Sequence, residues 1–266
     1  SYIGHLQQDL YGQRIIDEFA EAGVDTSQVV FSDDMITPLA SVLVNRLTGS
    51  RTIITRKMQT PPSLTYEQKL KLDDLAERLI ASEEPVTILI DGHEAEISEY
   101  LIKKLPNARV VMDGGSLRAS NIKLAAWTDY FVVSEHFARD YMSYRSLSTE
   151  AEIKAALIEL NKICRGEAFI TLGEKGCAFL KSGMLQIVPS WLCNAVDTTG
   201  AGDVFHGAFT YGVHYSWHID NIILFASLTA AISIEKKGVR ESMPDLAVVH
   251  HSLNSYERNL TQYFEE

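Results

Sequence analysis

Apolar residues along the chain switch between helical and strand spacing, and the switches mark out its elements. Tyr2-Ile3-Gly4 has the character of a strand end. Ile15, Ile16, Phe19 and Ala20 then share one helical face, with Gly23 as the stop. Two β-rich runs, 39–45 and 51–55, flank Leu47-Thr-Gly-Ser50 and predict a hairpin standing off the main body. From Ser63 onward a helix–strand theme repeats. Helical periodicity covers 66–81, and the apolar run 86–90 ends in Asp91. A helix around 97–104 leads to the run 108–112, which ends in Asp113. The run 130–133, a helix near 151–164 and the run 168–171 follow.

Strands separated by helices at this spacing predict an α/β fold whose mostly parallel sheet is covered on both faces. The runs 178–180 and 184–188, split by Lys181-Ser-Gly183, add an antiparallel hairpin. After Gly202 the pattern is helical almost to the end. Repeats and low-complexity linkers are absent, so 1–36 and 58–266 form one main domain and 37–57 a small β element. A strand end with no strand before it, opening on Ser1, suggests an N-terminally shortened chain.

Composition narrows the function. With 24 Lys+Arg against 35 Asp+Glu, the net charge of −11 argues against a nucleic-acid backbone as partner. Apolar runs fall short of the ~18 residues of a membrane span, so a membrane partner is not expected. Cys164, Cys177 and Cys193 lack metal spacing and read as reduced thiols of a cytoplasmic protein.

The chemistry concentrates in Asp197-Thr-Thr-Gly-Ala-Gly-Asp203, followed by a helical pattern in which Gly207, Ala208 and Gly212 would allow close packing. Gly200, Ala201 and Gly202 make a small-residue turn at a helix N-terminus, where free amides and the helix dipole attract an anion. Asp203 sits in the first turn, placed to accept a proton from a hydroxyl while the amides stabilise a transferring phosphoryl group. The plain alternative is a capping carboxylate and a simple turn. Chance would produce this seven-residue run on the order of once in a million chains of this length.

The run resembles the C-terminal signature of the ribokinase-like (PfkB) carbohydrate kinases. Gly4-His-Leu-Gln-Gln-Asp9-Leu-Tyr-Gly12 is similar to the family's Gly…Asp-x-x-Gly segment, and Ala22-Gly-Val-Asp25 to the turn after its first helix. Thr171-Leu-Gly-Glu-Lys-Gly176 resembles its nucleotide loop, and 225–234 with Gly238 its penultimate helix and adenine-side loop. The resemblance implies a three-layer sandwich with a small β lid, of which 37–57 would be part. It implies a kinase that moves the γ-phosphate of ATP to a sugar hydroxyl with magnesium. Asp203 would be the base, and Gly200, Ala201 and Gly202 the anion hole. Thr171, Gly173, Lys175, Gly176, Thr198, Ser227 and Gly238 would line the ATP site. A solvated hairpin lysine is an equal reading of Lys175. Asp197 would close its loop or help hold a monovalent cation.

The family's Asn-x-x-Glu is replaced here by Ser134-Glu135-His136-Phe137. Glu135 would meet magnesium through water or be a surface carboxylate. The variant is nearer the ketohexokinase-like and sulfofructose-kinase-like branch, which implies a ketose. An N-terminal segment with a Gly-Gly-Asn turn, which holds sugar hydroxyls in the family, has no match in this sequence. Asp91 and Asp113, at strand ends, are substrate candidates. Arg118 and Arg240 are weaker candidates for anion contacts. His206 reads as packed rather than catalytic. The resemblance implies a homodimer through paired lids, and the exposed β run would need covering. A nucleoside or phosphosugar kinase, or a non-catalytic binding homologue, remains the alternative.

Overall fold

The computed structural model describes residues 1–33, 36–44, 51–56 and 61–253. Chain contacts divide them into two units, Ser1–Glu83 with His93–Leu105, and Glu84–Gly92 with Pro106–Glu266.

In the first unit, β1 (His5–Leu6) and β2 (Val30–Phe31) form a short parallel pair. Between them α1 (Leu10–Glu21) is capped by Asp9, whose Oδ1 accepts from the Gly12 amide at 2.7 Å and the Thr37 hydroxyl at 2.9 Å. A β-carbon at Gly12 would collide with the Gln7 carbonyl oxygen, so the Asp-x-x-Gly spacing joins a cap to a backbone approach only glycine allows. The hairpin strands β3 (Ala40–Val44) and β4 (Arg51–Thr55) pair antiparallel, Ala40 opposite Thr55. Their expected turn at 47–50 lies outside the described residues. Helix α2 (Tyr66–Ala81) begins in a capping box of Thr65 and Gln68. Its Leu72 and Leu75 bury against Leu64 and against Ile97 and Leu101 of α3 (Ala95–Lys104).

The second unit holds six strands: β5 (Thr87–Ile90), β6 (Arg109–Gly114), β7 (Tyr130–Ser134), β8 (Glu167–Thr171), β9 (Cys177–Lys181) and β10 (Met184–Val188). They lie in the order β10-β9-β8-β7-β6-β5, with β5 to β8 parallel and β9 and β10 antiparallel. Side chains alternate across this sheet. Val111, Val132 and Phe169 face one way, into a cluster with Phe205, Phe209 and Val213 of α7 (Ala201–His214) and Ile222, Ile223 and Ala226 of α8 (Ile219–Ser233). Phe169 and Phe209 meet edge-on at 5.3 Å. The intervening Phe131 turns to the opposite face and meets Phe137 of α5 (Glu135–Tyr141) at 5.5 Å. Helix α6 (Glu150–Asn161) buries Ile153, Ala156, Leu157 and Leu160. A β-carbon at Gly212 would stand 2.9 Å from Ile222 Cγ1, so this glycine sets how closely α7 and α8 pack.

Four expectations change. Asp113 lies inside β6 rather than beyond it, because the strand continues through Gly114. Two short helices, α4 (Ala119–Ala125) and α5, follow β6 and β7 where no helix was expected. The segment 234–245 is not helical; Gly238 has φ +86° and donates its amide to the Asp197 carboxylate. Gly207 is exposed, and a β-carbon there would meet open space, so it provides no close packing.

Candidate active site

The site is built where α7 begins. Gly200 caps the helix in the left-handed region, at φ +73° and ψ 2°. The preceding turn is fixed by Asp197, whose Oδ1 accepts from the Thr199 amide at 3.0 Å and Oδ2 from the Gly238 amide at 3.3 Å. These two bonds fit the loop-closing reading of Asp197. Ala201 donates to the Thr198 carbonyl at a long 3.4 Å. Among the described residues the amides of Gly202 and Asp203 have no backbone acceptor. A β-carbon at Gly202 would touch nothing within 4 Å. Two open donors, the positive end of a helix and empty space beside them form an anion cradle.

Asp203 stands in the first turn of α7, exposed to solvent. Protein nevertheless crowds its carboxylate. That loss of hydration is the largest cause raising its pKa, followed by the Asp113 charge. His206 opposes the shift, and the Asp91 charge adds to it. Asp113 shares the α7-facing side of β6 with Val111, two residues before it. Its Oδ2 lies 3.2 Å from Nδ1 of His206, and its side chain is 17% exposed. Asp91 follows β5 and is exposed; its backbone carbonyl accepts from Asn121 Nδ2 at 3.2 Å. The charges of Asp113, Asp91 and His206 thus all act on Asp203.

The other sequence candidates lie on loops and helices of the same unit. Thr171 ends β8 and donates to the Val133 carbonyl at 3.4 Å. The next residues turn through a 3-10 helix, Gly173–Lys175, closed by the Leu172 amide on the Gly176 carbonyl at 2.7 Å. Gly173 and Gly176 have φ of +60° and +101°, and a β-carbon at Gly176 would collide with the Val188 carbonyl oxygen. Lys175 is exposed; its amide donates to the Leu172 carbonyl at 3.2 Å, and its ammonium has no partner among the described residues. Thr198 is exposed, whereas Ser227 is buried within α8.

Ser134 is the N-cap of α5: its hydroxyl oxygen accepts from the Phe137 amide at 3.0 Å and donates to the Gly115 carbonyl at 2.9 Å. Glu135 opens that helix, partly exposed and without a partner among the described residues. No group of three or more His, Cys, Asp or Glu that could hold a metal occurs among the described residues. A lone carboxylate such as Glu135 fits a magnesium ion held chiefly by phosphates and water, not one held by a protein cage.

Arg118 is partly buried, and its guanidinium has no partner among the described residues; Arg240 is exposed. All three cysteines are free thiols, and burial pushes Cys177 up to about 12 and Cys164 up to about 11. No helix of the described residues is long and apolar enough to cross a membrane. The sequence pattern did not single out Val239, which walls Gly200, or Asn121, which supports the Asp91 loop. Neither carries a local signature, because each acts through a contact distant in sequence.

Comparison with known proteins bears on the fold and the family. Ribokinase of Lactococcus lactis is 27% identical over 260 residues, covering 98% of this chain and 81% of its own length. The solved ribokinase of Giardia lamblia superimposes with a TM-score of 0.79 at 21% identity, over 96% of this chain and 82% of its own. Ribokinase of Arabidopsis thaliana, solved with ribose and ATP, gives 0.75 at 20% identity, over 94% and 80%. The fold is therefore ribokinase-like. The model of the pfkB family carbohydrate kinases matches residues 1–246, and the chain belongs to that family of phosphotransferases.

Proposed function

We propose that this protein transfers the γ-phosphoryl group of ATP to a hydroxyl of a sugar, with a ketose as the first candidate acceptor. The observation that carries the reading is an exposed carboxylate, Asp203, in the same helical turn as the two open amides of Gly202 and Asp203. Asp203 takes the hydroxyl proton as the new oxygen–phosphorus bond forms. The bond from the γ-phosphorus to the bridging oxygen breaks, and ADP leaves with that electron pair. The amides at the head of α7 stabilise the equatorial oxygens during transfer. The raised pKa of Asp203 makes it, once ionised, a stronger base than an ordinary carboxylate.

In this reading the loop 171–176 and Gly238 flank the nucleotide, with Lys175 free to reach a phosphate. Glu135 would hold magnesium through water, and the metal, when bound, would supply charge neutralisation on the phosphates. Asp91 orients the acceptor, while Asp113 is engaged with His206. The hairpin strands β3 and β4 expose Leu43 and Ile54 on one face and Val42 on the other, apolar positions for the hairpin of a second copy to cover. ADP release measured with magnesium-ATP across ketoses, aldoses, phosphosugars and nucleosides tests the reading. Acceptor-dependent release with a ketose or aldose is expected. Release with nucleosides alone, or with no acceptor in the panel, would overturn it.

A further inference from the structure

His206 is 3% exposed and lies one turn beyond Gly202 on α7. Its Nδ1 is 2.7 Å from the Gly202 carbonyl oxygen and 3.2 Å from Oδ2 of Asp113. Its Nε2 is 3.1 Å from the Val132 carbonyl oxygen in β7. Backbone carbonyls can only accept. A neutral imidazole has one N–H and one bare nitrogen, so it would aim a lone pair at one of these oxygens inside the protein. Only a ring with hydrogen on both nitrogens satisfies the two carbonyls, and the Asp113 carboxylate is its counter-charge.

The contacted peptide is itself part of the anion cradle. The Gly202 carbonyl and the Asp203 amide belong to one peptide group and point in opposite directions. Helical geometry already sets that direction. A cationic donor on the carbonyl polarises the same peptide, strengthening its N–H as a donor, and ties the first turn of α7 to β6 and β7. We infer that His206 is a positioning residue for phosphoryl transfer: an imidazolium beneath the first turn of α7 that holds and polarises the Gly202–Asp203 peptide and balances the charges of Asp113 and Asp203. The inference rests on the assignment of Asp203 as the base. The charged groups acting on Asp203 are Asp113 from β6, Asp91 from the end of β5, and His206 from its own helix.

Two measurements test it, one of them independent of activity. The imidazole ¹⁵N spectrum of the free protein at neutral pH should show both His206 nitrogens bearing hydrogen. One bare nitrogen would overturn the inference even if the kinase assignment stands. In the second, His206→Gln removes the charge but keeps a donor. It should lower kcat about tenfold, with a smaller change in KM for ATP. It should also move the acidic limb of the kcat/KM profile up by about one pH unit, because Asp203 loses its neighbouring cation. A folded variant with unchanged kcat and an unmoved acidic limb would make His206 a packing residue. Should the variant fail to fold, the ¹⁵N spectrum of the unmodified protein still decides. A protein that releases no ADP with any acceptor would sink the kinase assignment and leave the spectroscopic result standing.

Discussion

Gly200 packs so closely against Val239 that a β-carbon at residue 200 would collide with Val239 Cγ1. The backbone there is left-handed, at φ +73°, which disfavours a side chain independently of the space. Two residues later Gly202 has open space around its missing β-carbon. Two glycines of one motif are therefore required for different reasons, the first by the fold and the second by what must approach the helix.

Substitution should separate these roles. Gly200→Ala is expected to lower stability by about 1–3 kcal/mol, from strain and the clash with Val239. Gly202→Ala should leave the unfolding midpoint unchanged or slightly raised, since alanine favours a helix. Its methyl group would intrude on the anion cradle and cut kcat roughly 10- to 100-fold. Thermal unfolding and steady-state kinetics on both variants check the pair. Equal loss of stability in both would remove the distinction.

Asp113→Asn tests the electrostatics of the base. Crowding and the Asp113 charge raise the Asp203 pKa, in that order. The base works only when ionised, so the rate falls as pH drops through that pKa. Removing the Asp113 charge should lower the pKa and move the acidic limb of kcat/KM to lower pH. A limb that stays in place would show that the two carboxylates do not act on one another.

A third prediction concerns the first unit. The Gly12 amide, and then the Thr37 hydroxyl, hold the Asp9 carboxyl below the usual carboxylate range, against a raising effect of burial. A depressed folded pKa adds stability that is present above the unfolded value and lost as pH falls through the folded one. Asp9→Ala should cost about 1 kcal/mol near neutral pH, and the gap from the unsubstituted protein should narrow on acidification. Denaturant unfolding at several pH values measures this. A pH-independent gap would assign the cap to hydrogen bonding without charge.

Much of this molecule follows from local pattern. The bounds of α2 were visible from the periodicity of 66–81, and the head of α7 from a run whose glycines and carboxylate sit within seven residues. The misses have physical causes. Helices α4 and α5 are each 7 residues long, too short for a helical period to stand out, and the Ser134 cap that starts α5 also resembles a strand end. The non-helical segment 234–245 depends on Asp197, 41 residues from Gly238 in sequence, taking the Gly238 amide. The gathering of Asp113, His206 and Val132 depends on β6, β7 and α7 coming together, which no local signal encodes. Ser227, expected near the nucleotide base, is buried within α8, a burial that depends on the packing of that helix rather than on any local signal.

The most direct test of the account replaces one oxygen of the base. Asp203→Asn keeps the size of the side chain and the backbone amides of the cradle, but cannot take up a proton. ADP release with a sugar that the unsubstituted protein phosphorylates should fall by roughly 1,000-fold or more, while nucleotide binding by calorimetry and the unfolding midpoint remain nearly unchanged. Turnover retained within about tenfold, in a protein that still binds ATP, would contradict the role given to Asp203 and the mechanism built on it.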